Sequence, residues 1–185
     1  MSLGGSVVRI DPDTGAAWPT NPAAGDPDAN RSRIVAYGFR NLHRLDIDQD
    51  NAGGVADVGW GRYEELDLFD PSAGTVPNFG WPCHEGPAVQ PVVADAGFEM
   101  CESLAPADVE LPAFAYSHQD PLRRVLLGRN VDHGIASVRS GTYPAPFDDG
   151  MFMGDYSRQC VFFLPRTPTG YDFENRLSIV RTSLR

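Results

Sequence analysis

The pair Arg40-Asn41 closes an apolar and aromatic run, RIVAYGF, that reads as a buried strand. Strands usually stop at Gly, Pro or Asp, so a guanidinium and an amide at this point need a chemical reason. They could satisfy loop carbonyls, or they could stand at the mouth of a ligand site and offer donors to an anion, for which a planar two-pronged cation is well suited. Further on, Asp46, Asp48 and Asp50 make the D-x-D-x-D opening of a calcium loop. Asn51 replaces the glycine of that loop, Asp57 stands where its bidentate glutamate belongs, and strands flank it, so a solvated acidic hairpin turn is the favoured reading. Glu64 and Glu65 are adjacent on a strand and point to opposite faces, which excludes an acid-base pair and leaves the pinning of a loop. Asp155, in GDYS, either lines a channel or caps a turn. His43, His84, His118 and His133 each stand alone in a separate segment and read as surface or turn residues, because a general base must be positioned as well as present.

Other chemistries are absent from the sequence. All 15 basic residues are arginine, so no lysine exists for a Schiff base or a Walker-type phosphate loop. G-x-S-x-G, H-E-x-x-H and G-x-G-x-x-G do not occur. A net charge of -10 and a pI near 4.7 argue against a nucleic-acid partner, which needs a basic surface to release counterions. Cys83, Cys101 and Cys160 lack the paired spacing of a zinc site. A Cys83–Cys101 disulfide, spanning 18 positions, would staple a long excursion, contribute about 3 kcal/mol and imply an oxidising compartment. Cys160 reads as a buried small hydrophobe.

The elements that must position these residues are strands. Hydrophobic content of 42% and charged content of 22% are ordinary for one globular domain. No apolar stretch approaches the roughly 20 residues that span a bilayer. The start, MSLGGSVVRIDP, lacks the flank and apolar stretch of a signal peptide and opens almost at once into a strand, which predicts that the chain begins inside a longer parent with MSL as an added leader. SVVRID, RIVAYGF, LHRLDID, GVADVGWG, AFAYSH, IASVRSG, GMFMGDY, CVFFLP and RLSIVRT are each of strand length and are separated by Gly, Pro, Asn or Asp clusters. DPDTG and DQDNAGG read as hairpin connectors. The spacing predicts an all-β sandwich, barrel or propeller, and a loose repeat of strand, turn, strand and Gly-Asp element favours propeller blades. Residues 82–112 carry little strand pattern and read as a long loop or insertion.

The ordered words GSVVRIDPDTG, RIVAYGFRN, ADVGWGRYEEL, NFGWPCHEGP, AFAYSH and SGTYPAPFDDGMFMGDYSRQC resemble the glucose/sorbosone dehydrogenase family, from about Gly5 to Leu164. The resemblance implies a six-bladed β-propeller that binds pyrroloquinoline quinone and calcium and oxidises sugars such as aldoses at C1, in a secreted or periplasmic setting. Only about half of the blades fit into this chain, so residues 1–185 are expected to form a single partial propeller domain. Arg40 and Asn41 match the family's quinone-contacting Arg-Asn pair. Asp57 and Gly59 stand where other members offer oxygens to calcium, although the usual Gly-Pro there is missing. Trp81 and Pro82 are expected to close a blade. The family's catalytic histidine lies upstream of the part represented here, none of the four histidines matches its motif, and its cofactor-contacting lysine has no counterpart, so no catalytic residue is assigned. Two readings remain: part of a quinone-dependent sugar dehydrogenase, or a non-catalytic secreted propeller segment that binds carbohydrate or a protein partner. Exposed inter-blade faces point to the missing blades or to self-association as partners.

Overall fold

The chain is described here by a computed structural model covering residues 2–119, 133–158 and 160–180. Strand β1 (Ser6–Val8) pairs antiparallel with β2 (Ile34–Tyr37). The DPDTG connector between them turns as its sequence predicts: Asp11 Oδ1 accepts from the Asp13 and Thr14 backbone N–H groups, and Ile10 bridges to Ala17. Strands β3 (Leu42–Ile47), β4 (Gly53–Asp57) and β5 (Tyr63–Phe69) follow as an antiparallel meander. The chain then leaves the sheet for the excursion read as a loop.

That excursion is more ordered than its sequence suggested. It contains a two-residue hairpin, β6 (His84–Glu85) with β7 (Ala88–Val89), then helices α1 (Pro91–Asp95) and α2 (Glu99–Glu102) and a 3-10 turn at Pro106–Asp108. Pro91 starts α1 and the Gln90 side chain caps it, accepting from Val92 N–H. Helices this short show no hydrophobic periodicity. The Cys83–Cys101 disulfide closes the excursion, with the Cα atoms 5.2 Å apart, while Cys160 is free and buried. Strand β8 (Phe114–Ser117) returns to β5 and completes a four-stranded sheet in the order β3-β4-β5-β8.

The third sheet is built from β9 (His133–Val138), β10 (Gly150–Asp155), β11 (Cys160–Thr167), β12 (Gly170–Tyr171) and β13 (Leu177–Val180), with β11 pairing to β10, β12 and β13. The last predicted strand ran to Thr182, and Arg181 and Thr182 lie outside the described residues.

The middle sheet has a core on each face, and this is why all five residues of β4 are buried. On one side Val55 and Phe69 meet Val7, Val35, Ala36, Phe39 and Phe79 of the first sheet and its links. The Phe39 and Phe79 rings stack 4.8 Å apart, a contact that adds about 0.5–1.5 kcal/mol beyond its buried area. On the other side Leu66, Phe114 and Tyr116 meet Met151, Met153, Phe162 and Leu164 of the third sheet. Successive antiparallel sheets that each pack only on their neighbours are the blades of a propeller, here a partial one. The core on this face reaches β4, β5 and Leu42 at the start of β3, but Leu45 and Ile47 further along β3, on the face shared with Val55, stay 49% and 46% exposed.

Candidate functional site

Asp57, the last residue of β4, is 5% exposed, and its carboxylate accepts the backbone N–H of Arg40 at 2.8 Å and of Asn41 at 2.6 Å. Val58 N–H donates to Asn41 O at 3.1 Å. The β2–β3 link is thereby clamped to the end of β4, and the clamp decides where the Arg40 side chain starts. Its Nη1 donates to Val58 O at 2.9 Å and to Gly59 O at 3.0 Å, and its Cζ lies 5.7 Å from the Trp81 ring centroid. Among the described residues, Nε and Nη2 of Arg40 and the side chain of Asn41 make no hydrogen bond. Arg40 lines a cavity of about 520 Å³ whose walls include Tyr37, Asn78, Trp81, Met100 and Leu104. The question raised by its sequence position is therefore answered on both counts: one nitrogen satisfies loop carbonyls, and the other donors are left over.

The carbonyls that seat Arg40 belong to a turn, residues 58–63, held by buried carboxylates. Gly59 N–H donates to Glu64 Oε2 at 3.2 Å, and Glu64 Oε1 meets His118 Nε2 at 2.5 Å. Glu85 Oε1 accepts three N–H groups, from Gly61 at 2.8 Å, Arg62 at 2.7 Å and Tyr63 at 3.1 Å. Glu65, pointing to the opposite face from Glu64 as a strand requires, accepts Gly86 N–H at 2.5 Å. Glycine is obligatory at 59, since a Cβ there would stand 1.6 Å from Tyr63 O. Gly38 is needed for its positive φ of 83° and because a Cβ would meet Asn78 Oδ1 at 2.3 Å.

Burial dominates the electrostatics. It pushes the Asp57 carboxyl up to about 6, against the pull of the Arg40 and Asn41 N–H groups and the Arg40 charge. Glu65 is pushed up to about 8 by burial and by the nearby Asp57 and Glu85 charges, with Gly86 N–H opposing. Asp67 is fully buried, neither oxygen has a hydrogen-bond partner among the described residues, and burial raises its carboxyl well above the usual carboxylate range. Glu85 goes the other way: burial pushes it up, but the N–H groups of Arg62, Gly61, Tyr63 and Trp60 hold it below its ordinary value. His118 is raised by its bond to Glu64.

The calcium expectation at Asp57 and Gly59 does not fit this geometry. Both Asp57 oxygens face N–H donors and Gly59 O faces a guanidinium, so a calcium ion would have to displace the Arg40 cation. Among the described residues no group of three or more His, Cys, Asp or Glu could hold a metal ion. The acidic turn at Asp46, Asp48 and Asp50 is not solvated throughout as its sequence suggested. Asp48 is buried and, with Asp50 and Asp149, surrounds Arg166 at 2.8, 2.8 and 3.1 Å, while Asp46 accepts Ser137 N–H at 2.5 Å. Asp155 caps a turn, accepting Arg158 N–H and the Tyr116 hydroxyl. His43 lies on β3 and His84 on β6, where its Nδ1 is buried without a hydrogen-bond partner among the described residues. His133 opens β9, and its side chain lies outside the described residues. The sequence reading missed the Glu64–His118 pair and the role of Glu85. Only the glutamate of WPCHEG could have signalled the latter.

The model of the glucose/sorbosone dehydrogenase family matches residues 1–116, more than half of the 185-residue chain. The chain belongs to this family. Solved structures with the same fold include the PQQ-bound form of an aldose sugar dehydrogenase from Streptomyces coelicolor, 21% identical with a TM-score of 0.61 over 96% of this chain and 40% of that one. The soluble aldose sugar dehydrogenase from Escherichia coli, in the apo-form, is 22% identical with a TM-score of 0.62 over 95% of this chain and 45% of that one. A glucose dehydrogenase matches with a TM-score of 0.64 at 21% identity, over 95% and 44% of the two chains. The family member described here thus spans less than half the length of these structures. No curated protein matches it. Among its described residues no helix is long and apolar enough to cross a membrane.

Proposed function

We propose that this chain is part of a quinone-dependent sugar dehydrogenase of the secreted or periplasmic type, oxidising an aldose at C1, and that Arg40 and Asn41 hold the carboxylates of pyrroloquinoline quinone. The observation that carries the reading is the half-used guanidinium: Nη1 is fixed on two carbonyls, leaving Nε and Nη2 as a preoriented pair of donors for a carboxylate. The Trp81 face beneath it and a cavity of about 520 Å³ suit a planar, anionic, quinone-sized ligand. The quinone, when bound, supplies the two-electron acceptor. The chain's own part is to bind and orient it: Asp57 places the Arg40 and Asn41 backbone, and the 58–63 turn places the guanidinium. The base that takes the proton of the sugar hydroxyl, the sugar contacts and the rest of the propeller are expected from segments outside this chain.

Calorimetric titration of pyrroloquinoline quinone into the wild type and Arg40→Lys, with thermal melts of both, tests the proposal. An ammonium cannot reproduce the two-pronged contact. The expected result is binding weakened about tenfold or more by Arg40→Lys, since each charge-assisted bond contributes about 1.5–3 kcal/mol, together with a modest fall in melting temperature, because the guanidinium bonds to the Val58 and Gly59 carbonyls are lost as well. Equal affinities of the two proteins, or no binding by the wild type, would refute it.

A further inference from the structure

We propose that Glu85 is a positioning residue for Arg40: anchored beside the disulfide on the β6–β7 hairpin, it shapes the turn whose carbonyls hold the guanidinium at its ligand-binding angle. The inference rests on the reading of Arg40 as the quinone-binding cation and adds a residue that never touches the ligand. Glu85 is 2% exposed and is not among the residues lining the cavity. Its Oε1 gathers the N–H groups of Gly61, Arg62 and Tyr63, the concave run of donors that a turn offers to one anion. The same oxygen sits 2.8 Å from where a Cβ on Gly59 would lie, so the carboxylate abuts the residue that supplies one of the two Arg40 acceptors. Its other oxygen accepts from Gln90 Nε2, and Gln90 N–H in turn donates to Cys83 O at 2.8 Å. One continuous series of bonds therefore joins the disulfide-held hairpin, the 58–63 turn and the guanidinium.

A neutral amide at 85 would accept these N–H groups more weakly, and its own NH₂ would confront either the turn donors or the Gln90 NH₂. The turn would then relax, and the Val58 and Gly59 carbonyls would release Nη1 from its fixed direction. The effect must pass through Arg40, which sets it apart from ordinary destabilisation.

The experiment is a double-mutant cycle in pyrroloquinoline quinone affinity: wild type, Glu85→Gln, Arg40→Ala, and the two combined. Glu85→Gln is expected to weaken binding by about tenfold, in the range by which supporting residues act through a ligand-contacting one, and to have no further effect when Arg40 is already Ala. Gln90→Met, which frees the second Glu85 oxygen and also removes the long Val92 N–H cap of α1, is expected to give a smaller loss with the same dependence on Arg40, and serves if Glu85→Gln does not fold. A second readout needs no ligand. The Nε–H resonance of Arg40 in a ¹⁵N spectrum, assigned through Arg40→Lys, should shift in Glu85→Gln and stay in place in Glu174→Gln, which changes an exposed carboxylate between β12 and β13 of the third sheet. Independent, multiplicative losses in the cycle, or an unmoved Arg40 resonance, would overturn the proposal. A moved resonance in a protein that does not bind the quinone would uphold the positioning role and sink the cofactor reading instead.

Discussion

Arg166 holds the middle and third sheets together, and replacing it with methionine should show how much that contact contributes. Its Nη2 donates to Asp48 Oδ2 at 2.8 Å and to the Tyr171 hydroxyl at 3.0 Å, its Nη1 to Asp50 at 2.8 Å and its Nε to Asp149 at 3.1 Å. The arginine side chain is 13% exposed and that of Asp48 2%, whereas those of Asp149 and Asp50 are 33% and 67% exposed. The two outer pairs are open to water and contribute at most about 1 kcal/mol each. The cost therefore sits on Asp48. Burial raises its carboxyl, and Arg166, Ala52 N–H, the Tyr171 hydroxyl and Asp50 N–H together hold it below its usual value. Without the guanidinium a buried carboxylate loses its charge partner, a loss that typically costs 3–5 kcal/mol. The surviving bonds from Tyr171 at 2.9 Å and Ala52 at 2.9 Å place the expected loss at the lower end, about 3 kcal/mol. For a domain of this size that is a drop in melting temperature of roughly 6–12 °C. Differential scanning calorimetry of wild type, Arg166→Met, and Arg166→Met with Asp48→Asn reads it directly, because the double variant removes the orphaned charge and should recover part of the loss. Calcium added to the wild type should leave the melting temperature unchanged, since an arginine already occupies the centre of the acidic turn. A drop below about 2 °C, or a double variant no more stable than Arg166→Met, would refute the reasoning.

The buried carboxyls set the sign of the pH dependence. Asp57 and Glu65, raised to about 6 and about 8, keep protons in the folded chain that the unfolded chain gives up near pH 4, so stability should fall as pH rises from about 4 to 8. The raised His118 acts in the same direction, its contribution being complete below its unfolded value and lost above its folded one. Asp57 alone accounts for about 3 kcal/mol across this window, so the melting temperature at pH 5 should exceed that at pH 8 and Glu65→Gln should flatten the slope; a flat or rising wild-type curve would contradict the assignment. Thiol titration of the unfolded, unreduced chain should count one thiol, Cys160, and reduction should cost about 3 kcal/mol, whereas three thiols before reduction would exclude the Cys83–Cys101 bond.

What could be read from the sequence follows the range of the forces involved. Strand alternation and turn chemistry are local, so β2, β3, β8, β10 and β11 lie where RIVAYGF, LHRLDID, AFAYSH, GMFMGDY and CVFFLP place them, and Asp11 turns DPDTG by bonds within four residues. The helices of the excursion escaped notice because each is a single turn, α1 held by the Gln90 cap and α2 tied by the disulfide at Cys101, and neither by an apolar stripe. The site was legible only in part. That Arg40 leaves the end of a strand is local, but what it does there is set by Asp57, 17 positions on, and by the 58–63 turn, whose conformation depends on Glu85 more than 20 positions further along. The acidic turn shows the same limit from the other side. Asp48 reads as a solvated turn residue until Arg166, 118 positions away, is brought beside it. In both cases a carboxylate is buried because a cation or a run of backbone N–H groups from another segment reaches it, and the requirement that buried polar groups be paired is what ties GFRN, GWxxxEEL and WPCHEG into one unit. The seat of Arg40 is thus a property of three separated words acting together, and a change in the third should be read out at the first.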